Sequence, residues 1–141
     1  MLLWLLLTYT VPQMGFDEAK TVHHFHLYTD GGAIDVGEKD TTDAKGTKAL
    51  VRTHLSHLAV MFGNGDFEAP MMVHDTKDVP GIKVLADRHA ALTYRYSETP
   101  AGGRVDITTT DAAALAALHE FLRYQIREHK TGDSVAVVPR R

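Results

Sequence analysis

The 141-residue chain predicts an α+β fold: two β-hairpin–helix (ββα) repeats sharing one core, an antiparallel sheet with helices on one face, and a short middle helix. Three observations lead there. Residues 22–29 and 92–97 alternate apolar and polar side chains, the period of a half-buried strand. Turn chemistry, Asp30-Gly31 and Thr99–Gly103, follows each run. The order then repeats. Gly31-Gly32-Ala33-Ile34-Asp35-Val36 parallels Gly102-Gly103-Arg104-Val105-Asp106-Ile107, Thr41-Thr42-Asp43-Ala44 parallels Thr109-Thr110-Asp111-Ala112, and Gly65-Asp66 parallels Gly132-Asp133. One ββα unit buries its sheet face poorly, so two units sharing a core is the expected solution.

Residues 1–13 are set apart as an apolar leader, residues 14–133 as a single domain, and residues 134–141 as a loose tail. The run Met1-Leu2-Leu3-Trp4-Leu5-Leu6-Leu7 is shorter than the roughly 20 residues that span a bilayer. It also lacks the basic start and small-residue cleavage site of a full signal peptide. It reads as the remnant of an export signal, or else as an apolar arm packed on the domain.

In the first strand Phe25, Leu27 and His23 share one face, and His24, His26 and Tyr28 the other. A type I′ turn at Asp30-Gly31 sets Leu27 opposite Ile34, Phe25 opposite Val36 and His26 opposite Asp35. Thr41-Thr42-Asp43 caps a helix expected to run to about Phe62 and stop at Gly63-Asn64-Gly65, with Val51, Leu55, Leu58 and Phe62 as its core stripe. Residues 66–78 read as loop, with a short extended piece at Met71-Met72-Val73. Pro80 opens the middle helix, residues 80–91. The second hairpin follows. Thr110-Asp111 then caps a last helix ending near Lys130, before Gly132.

Composition narrows the function. With no cysteine, disulfides, thiolate metal sites, cysteine nucleophiles and iron–sulfur clusters are excluded. A net charge of −3 and the lack of any basic block argue against nucleic acid as a partner. No phosphate loop, dinucleotide fingerprint, nucleophile elbow or H-E-x-x-H motif occurs. Histidine, at nine residues, is the outlier.

His54 and His57, three apart on the first long helix, present neighbouring imidazoles, and Met61 continues the line. Such a set suits copper, and imidazoles alone suit zinc, nickel or iron. The plainer reading is two surface histidines with Met61 filling a gap. His23 faces the helices and His24 the far side of the sheet. The plainer reading of His23 is a buried histidine bonded to backbone; His24 and His26 share a face on which they could chelate, and His26 is more simply an ion-pair partner of Asp35. His74, in the loop after Met71-Met72, and Met14 are further candidates. His129 lies near the line of Leu118, Leu122 and Gln125 and so points inward, unless it serves only as a C-terminal histidine on the helix dipole. His119 falls off the core stripe and reads as surface. His89 is not placed by its spacing.

Met14-Gly15-Phe16-Asp17, Thr21-Val22-His23-His24-Phe25, Asp30-Gly31-Gly32-Ala33-Ile34, His54-Leu55-Ser56-His57, Pro80-Gly81, Gly102-Gly103-Arg104-Val105 and the stretch from His119 to Asp133 together resemble a family of small exported bacterial proteins. Its members often bear the label aspartate carbamoyltransferase, although the Ser-Thr-Arg-Thr and His-Pro motifs by which that enzyme holds carbamoyl phosphate are absent here. The likeness covers roughly residues 14–133. It implies a periplasmic or secreted location and points to His23, His24, His54, His57, His74 and His129. The leader at residues 1–13 is shorter than the family's export signal.

The expectation is an exported protein binding a transition metal, copper ahead of zinc or haem iron, for carriage, storage or sensing, with those six histidines as ligands. An enzyme using histidine as general base, or metal-assisted chemistry, is the second reading, and a ligand-free interaction module the third. The expected partner is a metal or small ligand, with no transmembrane anchor; a homodimer is left open.

Overall fold

The structure, a computed structural model, describes residues 16, 18–39, 46–74 and 78–141. Thr21–Tyr28 (β1) and Gly31–Glu38 (β2) form the first hairpin; Thr47–Gly63 (α1), Glu68–Val73 (α2) and Ile82–Asp87 (α3) follow; Leu92–Glu98 (β3) and Gly102–Thr109 (β4) form the second hairpin, and Ala112–Glu128 is α4. The strands make one antiparallel sheet in the order β1-β2-β4-β3. This is the α+β architecture that the sequence predicts. Among the described residues no helix is long and apolar enough to cross a membrane.

The inward face of the sheet carries Phe25, Leu27, Ile34, Val36, Leu92, Val105 and Ile107, all buried. Val51, Leu55, Leu58 and Phe62 of α1 and Leu118, Phe121, Leu122 and Ile126 of α4 close over them. Each long helix packs mainly on the hairpin it does not follow: α1 lies on β3 and β4, and α4 on β1 and β2. Asp111 caps α4 by accepting a 2.8 Å bond from the Ala114 amide, as expected.

Several expectations need correction. The first hairpin turns at Thr29-Asp30, so Phe25 stands opposite Ile34, Leu27 opposite Gly32 and His24 opposite Asp35. Gly31 belongs to the strand because a Cβ there would lie 1.8 Å from the Ile107 carbonyl oxygen. The shift is two residues, so every side chain keeps its expected face. His26 now faces Ala33 and reaches Asp35 diagonally, Nε2 to Oδ2 at 2.7 Å.

Helix α1 starts at Thr47, behind Gly46 with φ 74°. The expected cap at Thr41-Thr42-Asp43, together with Met14 and the leader 1–13, falls outside the described residues. Met71 lies in a helix, not an extended piece. The Asp66 carboxylate accepts from the Glu68 amide to start α2, and Pro70 sits in its first turn, where a missing N–H costs nothing. The middle helix is shorter than expected, Ile82–Asp87, with a 3-10 turn at His89–Ala91.

His119 is buried, and its Nε2 lies 2.9 Å from both the Tyr28 and Gly31 carbonyl oxygens, so the proton is on Nε2 and is donated to the hairpin end. Residues 134–141 are tied down instead of loose. Val138 bonds in parallel beside Tyr28, through Thr29 N to Val138 O at 3.0 Å and Val138 N to Leu27 O at 3.1 Å. Arg140 pairs with Asp30 and Asp106 and lies over the Tyr28 ring, 4.4 Å from its centroid.

Gly31→Ala is expected to cost about 3 kcal/mol in urea unfolding, because the new methyl meets backbone that cannot move aside. Gly63→Ala, which meets nothing within 4 Å in the last turn of α1, should be neutral or stabilise by up to about 1 kcal/mol. Equal effects at the two glycines would show that the close β2–β4 approach is not what selects Gly31.

Candidate functional site

Four of the six expected histidines meet around one cavity. The inward parity of β1 brings His23 next to Phe25, the flank of α1 supplies His54, the end of α2 supplies His74, and the C-terminal turn of α4 supplies His129. The space between them is about 60 Å³. Ile34 and Val36 line it from the sheet, Leu55, Leu58 and Phe62 from α1, Ala69 and Pro70 from α2, and Phe121 and Gln125 from α4.

The rings pack as aromatic walls. His23 and His129 stack with centroids 5.0 Å apart and planes 14° apart. His74 meets His129 edge to face, at 5.2 Å and 78°. Phe16 packs on His54 at 5.4 Å and on His23 at 6.1 Å. An imidazole lone pair lies in its ring plane, so two nearly parallel stacked rings cannot both aim at one ion. Among the described residues no three His, Asp or Glu side chains are grouped so as to hold a metal.

Among the described residues, hydrogen bonding inside the cavity is incomplete. His74 Nε2 donates to the Gln125 side-chain oxygen at 2.8 Å, which leaves the Gln125 amide nitrogen buried without a partner. His23 Nε2 is likewise buried and unpartnered. Each such atom costs about 1–3 kcal/mol if nothing else satisfies it.

The electrostatics keep three of the four rings, His23, His54 and His129, uncharged. Burial, reinforced by His129, His54 and His24, lowers the His23 pKa to about 4. Burial and His74 lower that of His129 to about 4, against a small opposing pull from Glu128. Burial and the neighbouring His57 lower that of His54. Near neutral pH these rings are therefore neutral, each with one N–H and one lone pair.

The other two expected residues lie elsewhere. His24 is on the opposite face of β1, and its Nδ1 donates to Asp133 Oδ1 at 2.9 Å, while Asp133 Oδ2 accepts from the Phe25 amide. His57 is exposed one turn from His54 and does not line the cavity. Met61 is partly buried against the core and also stays off the lining. Sequence reasoning missed Gln125 and Phe16. The signal for Gln125 was present: it is a lone amide on a stripe of apolar residues, one turn before His129.

No protein-family model, no curated protein and no solved structure matches the chain.

Both His23 and His129 bind protons less tightly folded than unfolded. Their neutral forms support the fold fully above about pH 6.5; that support falls as pH drops toward about 4, where the folded rings finally protonate. At about 1.4 kcal/mol per tenfold in proton affinity, discounted for partial exposure, the pair should account for a loss on the order of 3 kcal/mol. Denaturation at pH 7 and pH 5, compared between the wild type and a His23→Phe/His129→Phe variant, checks this. Identical pH dependence in the two proteins would rule it out.

Proposed function

We propose that this chain is a ligand-binding protein whose histidine-walled cavity takes a small, neutral molecule, apolar over most of its surface and carrying one hydrogen-bond acceptor. The observation that carries the reading is the pair of buried, unpartnered nitrogens, His23 Nε2 and Gln125 Nε2, on the lining of one otherwise apolar cavity. Buried polar atoms in native proteins are nearly always satisfied, so two orphans on one cavity are best accounted for by a missing partner. A ligand oxygen would relieve the Gln125 amide, while the stacked and edge-on rings offer faces to an apolar body. A space of about 60 Å³ is well below the roughly 150 Å³ that accepts benzene, so the part of a ligand that fits within it is only a few heavy atoms.

Neutral walls favour a neutral guest, because a buried ion would lack a counter-charge. They also make the enzyme reading weaker, since a general base works best with a pKa near the working pH and neither His23 nor His129 has one. The periplasmic or secreted setting implied by the sequence resemblance belongs to this proposal, as carriage or sensing of a small molecule outside the cytoplasm.

Titration with acetone, 2-butanone and N-methylacetamide, followed through the imidazole Cε1–H resonances in NMR, is the direct test. These probes should shift His23, His74 and His129, acetate and ammonium should not, and Gln125→Leu should weaken binding about tenfold, as expected for one lost hydrogen bond. Uniform insensitivity to the neutral probes, with stoichiometric uptake of Cu²⁺ or Zn²⁺ in calorimetry, would replace this reading with the metal one.

A further inference from the structure

Two of the cavity's walls have a second side. His23 and His129 also line an outer groove of about 430 Å³ between β1 and the end of α4, together with Glu18, Lys39, Glu128 and Lys130. The stacked pair is thus common to an apolar cavity and a charged groove. Resting on the ligand-cavity reading, we propose that the His23–His129 stack is a proton-operated partition, closed while both rings are neutral and parted when either is charged, through which ligand passes between groove and cavity.

The stack is held by ring contact and shape. Its neighbours on the inner side are Phe25, His54 and His74, from β1, α1 and α2, and Phe16 packs on His23. His54 and His74 would each gain a positive neighbour if the pair were protonated, and His24 on β1 acts on His23 in the same direction. Outside, Lys39 and Lys130 oppose a positive ring, whereas Glu18 and Glu128 accept one. A ring that becomes charged therefore loses its place against the apolar wall and gains water and two carboxylates by turning outward. Two charged rings 5.0 Å apart would also repel each other. The suppressed proton affinity of both rings puts the opening well below neutral pH, toward pH 4.

The backbone of the α4 terminus is closed by its own bonds, His129 N to Gln125 O at 2.9 Å and Thr131 N to Ile126 O at 3.2 Å, so parting of the stack is a rotation of the side chains. The helix ends at Glu128, Lys130 takes a left-handed φ of 51°, and Gly132 follows at φ 75°. His129 is thus one residue from a backbone reversal, while the Asp133 carboxylate, bonded to the Phe25 amide, anchors the chain just beyond.

Xenon exchange in the ligand-free protein separates this proposal from the identity of any ligand. The exchange rate between free and cavity-bound xenon, read by ¹²⁹Xe NMR, should rise at least tenfold from pH 7 to pH 4 while circular dichroism shows the fold intact. His23→Phe/His129→Phe, which keeps two stacked rings that cannot take up a proton, should abolish most of the rise. In the wild type the ring-current shifts of the His23 and His129 Cε1–H protons should collapse over the same pH range, a readout that needs no variant to fold. A pH-independent exchange rate, a rise that survives in His23→Phe/His129→Phe, ring-current shifts that persist to pH 4, or no bound xenon at either pH would each overturn the partition. Failure of the organic probes to bind, with xenon behaving as stated, would instead remove only the assigned ligand class.

Discussion

The arrangement depends on how closely two leucines approach the sheet. A Cβ on Gly32 would lie 2.4 Å from Leu122 Cδ1, and one on Gly103 would lie 3.0 Å from Leu55 Cδ1. Each long helix therefore rests a leucine on a bare stretch of the hairpin that it does not follow, α4 on β2 and α1 on β4. Glycine is needed beneath these leucines because the space is closed from a second side as well, by the His26 carbonyl oxygen 2.6 Å from a Cβ on Gly32 and by Tyr96 Cε2 2.9 Å from one on Gly103. With the helices fixed in this way, the seam between them runs above Phe25, Ile34 and Val36, and the cavity lies in that seam. Leu55 and Leu122, like Gly32 and Gly103, occupy corresponding places in the two aligned halves, and Ile34 pairs with its own counterpart, Val105. These relations follow from shared turn and cap chemistry as readily as from duplication, so they describe the layout and not its origin.

The same residue type meets different fates according to where the backbone places it. His119 is as buried as a core residue, yet it donates to two carbonyls at the hairpin end and is satisfied. His89 is bonded from Nδ1 to the Gly63 carbonyl at the end of α1. His24 and His26 pair with Asp133 and Asp35 on the outer face of the sheet. These four act as structural pins. The set at the cavity differs because its surroundings are rings and aliphatic groups that offer almost no acceptors, and it is there that an imidazole nitrogen stays unpaired.

How much of this was legible in the sequence follows from which physical rule each feature obeys. Strand parity survives a two-residue slip, so the inward placement of His23 and the outward placement of His24 were readable although the turn was misplaced. The turn itself was not, because a glycine serves a tight turn and a close strand approach equally well, and only the position of β4 separates the two uses at Gly31. Helix pitch put His129 inward correctly. It put His119 outward because α4 covers the turn of the first hairpin as well as the sheet, so its buried arc is wider than its apolar stripe. Helix α2 was hidden by Pro70, which reads as a breaker unless the Asp66 cap is known to begin the helix just before it. His54 and His57 were rightly seen as neighbours, but spacing on one helix could not say that only His54 would meet the other three elements.

Gln125 shows most clearly what the interior gives up. It lies between Phe121 and His129 on the buried face of α4, and its amide nitrogen has no partner. A leucine of similar bulk would remove that orphan and extend an apolar stripe already formed by Leu118, Phe121 and Leu122. Large-to-apolar exchanges of this kind at half-satisfied polar sites are commonly neutral or stabilising. The His74 bond does not by itself explain the glutamine, because His74 sits at the edge of α2 and could turn to solvent. A core shaped for stability alone would thus be drier and more complete at this seam. The unpaired amide, the unpaired His23 nitrogen and the small space between them are all liabilities in the empty chain, and all three become assets once an acceptor-bearing guest is present, which is the exchange of stability for function that binding sites generally make.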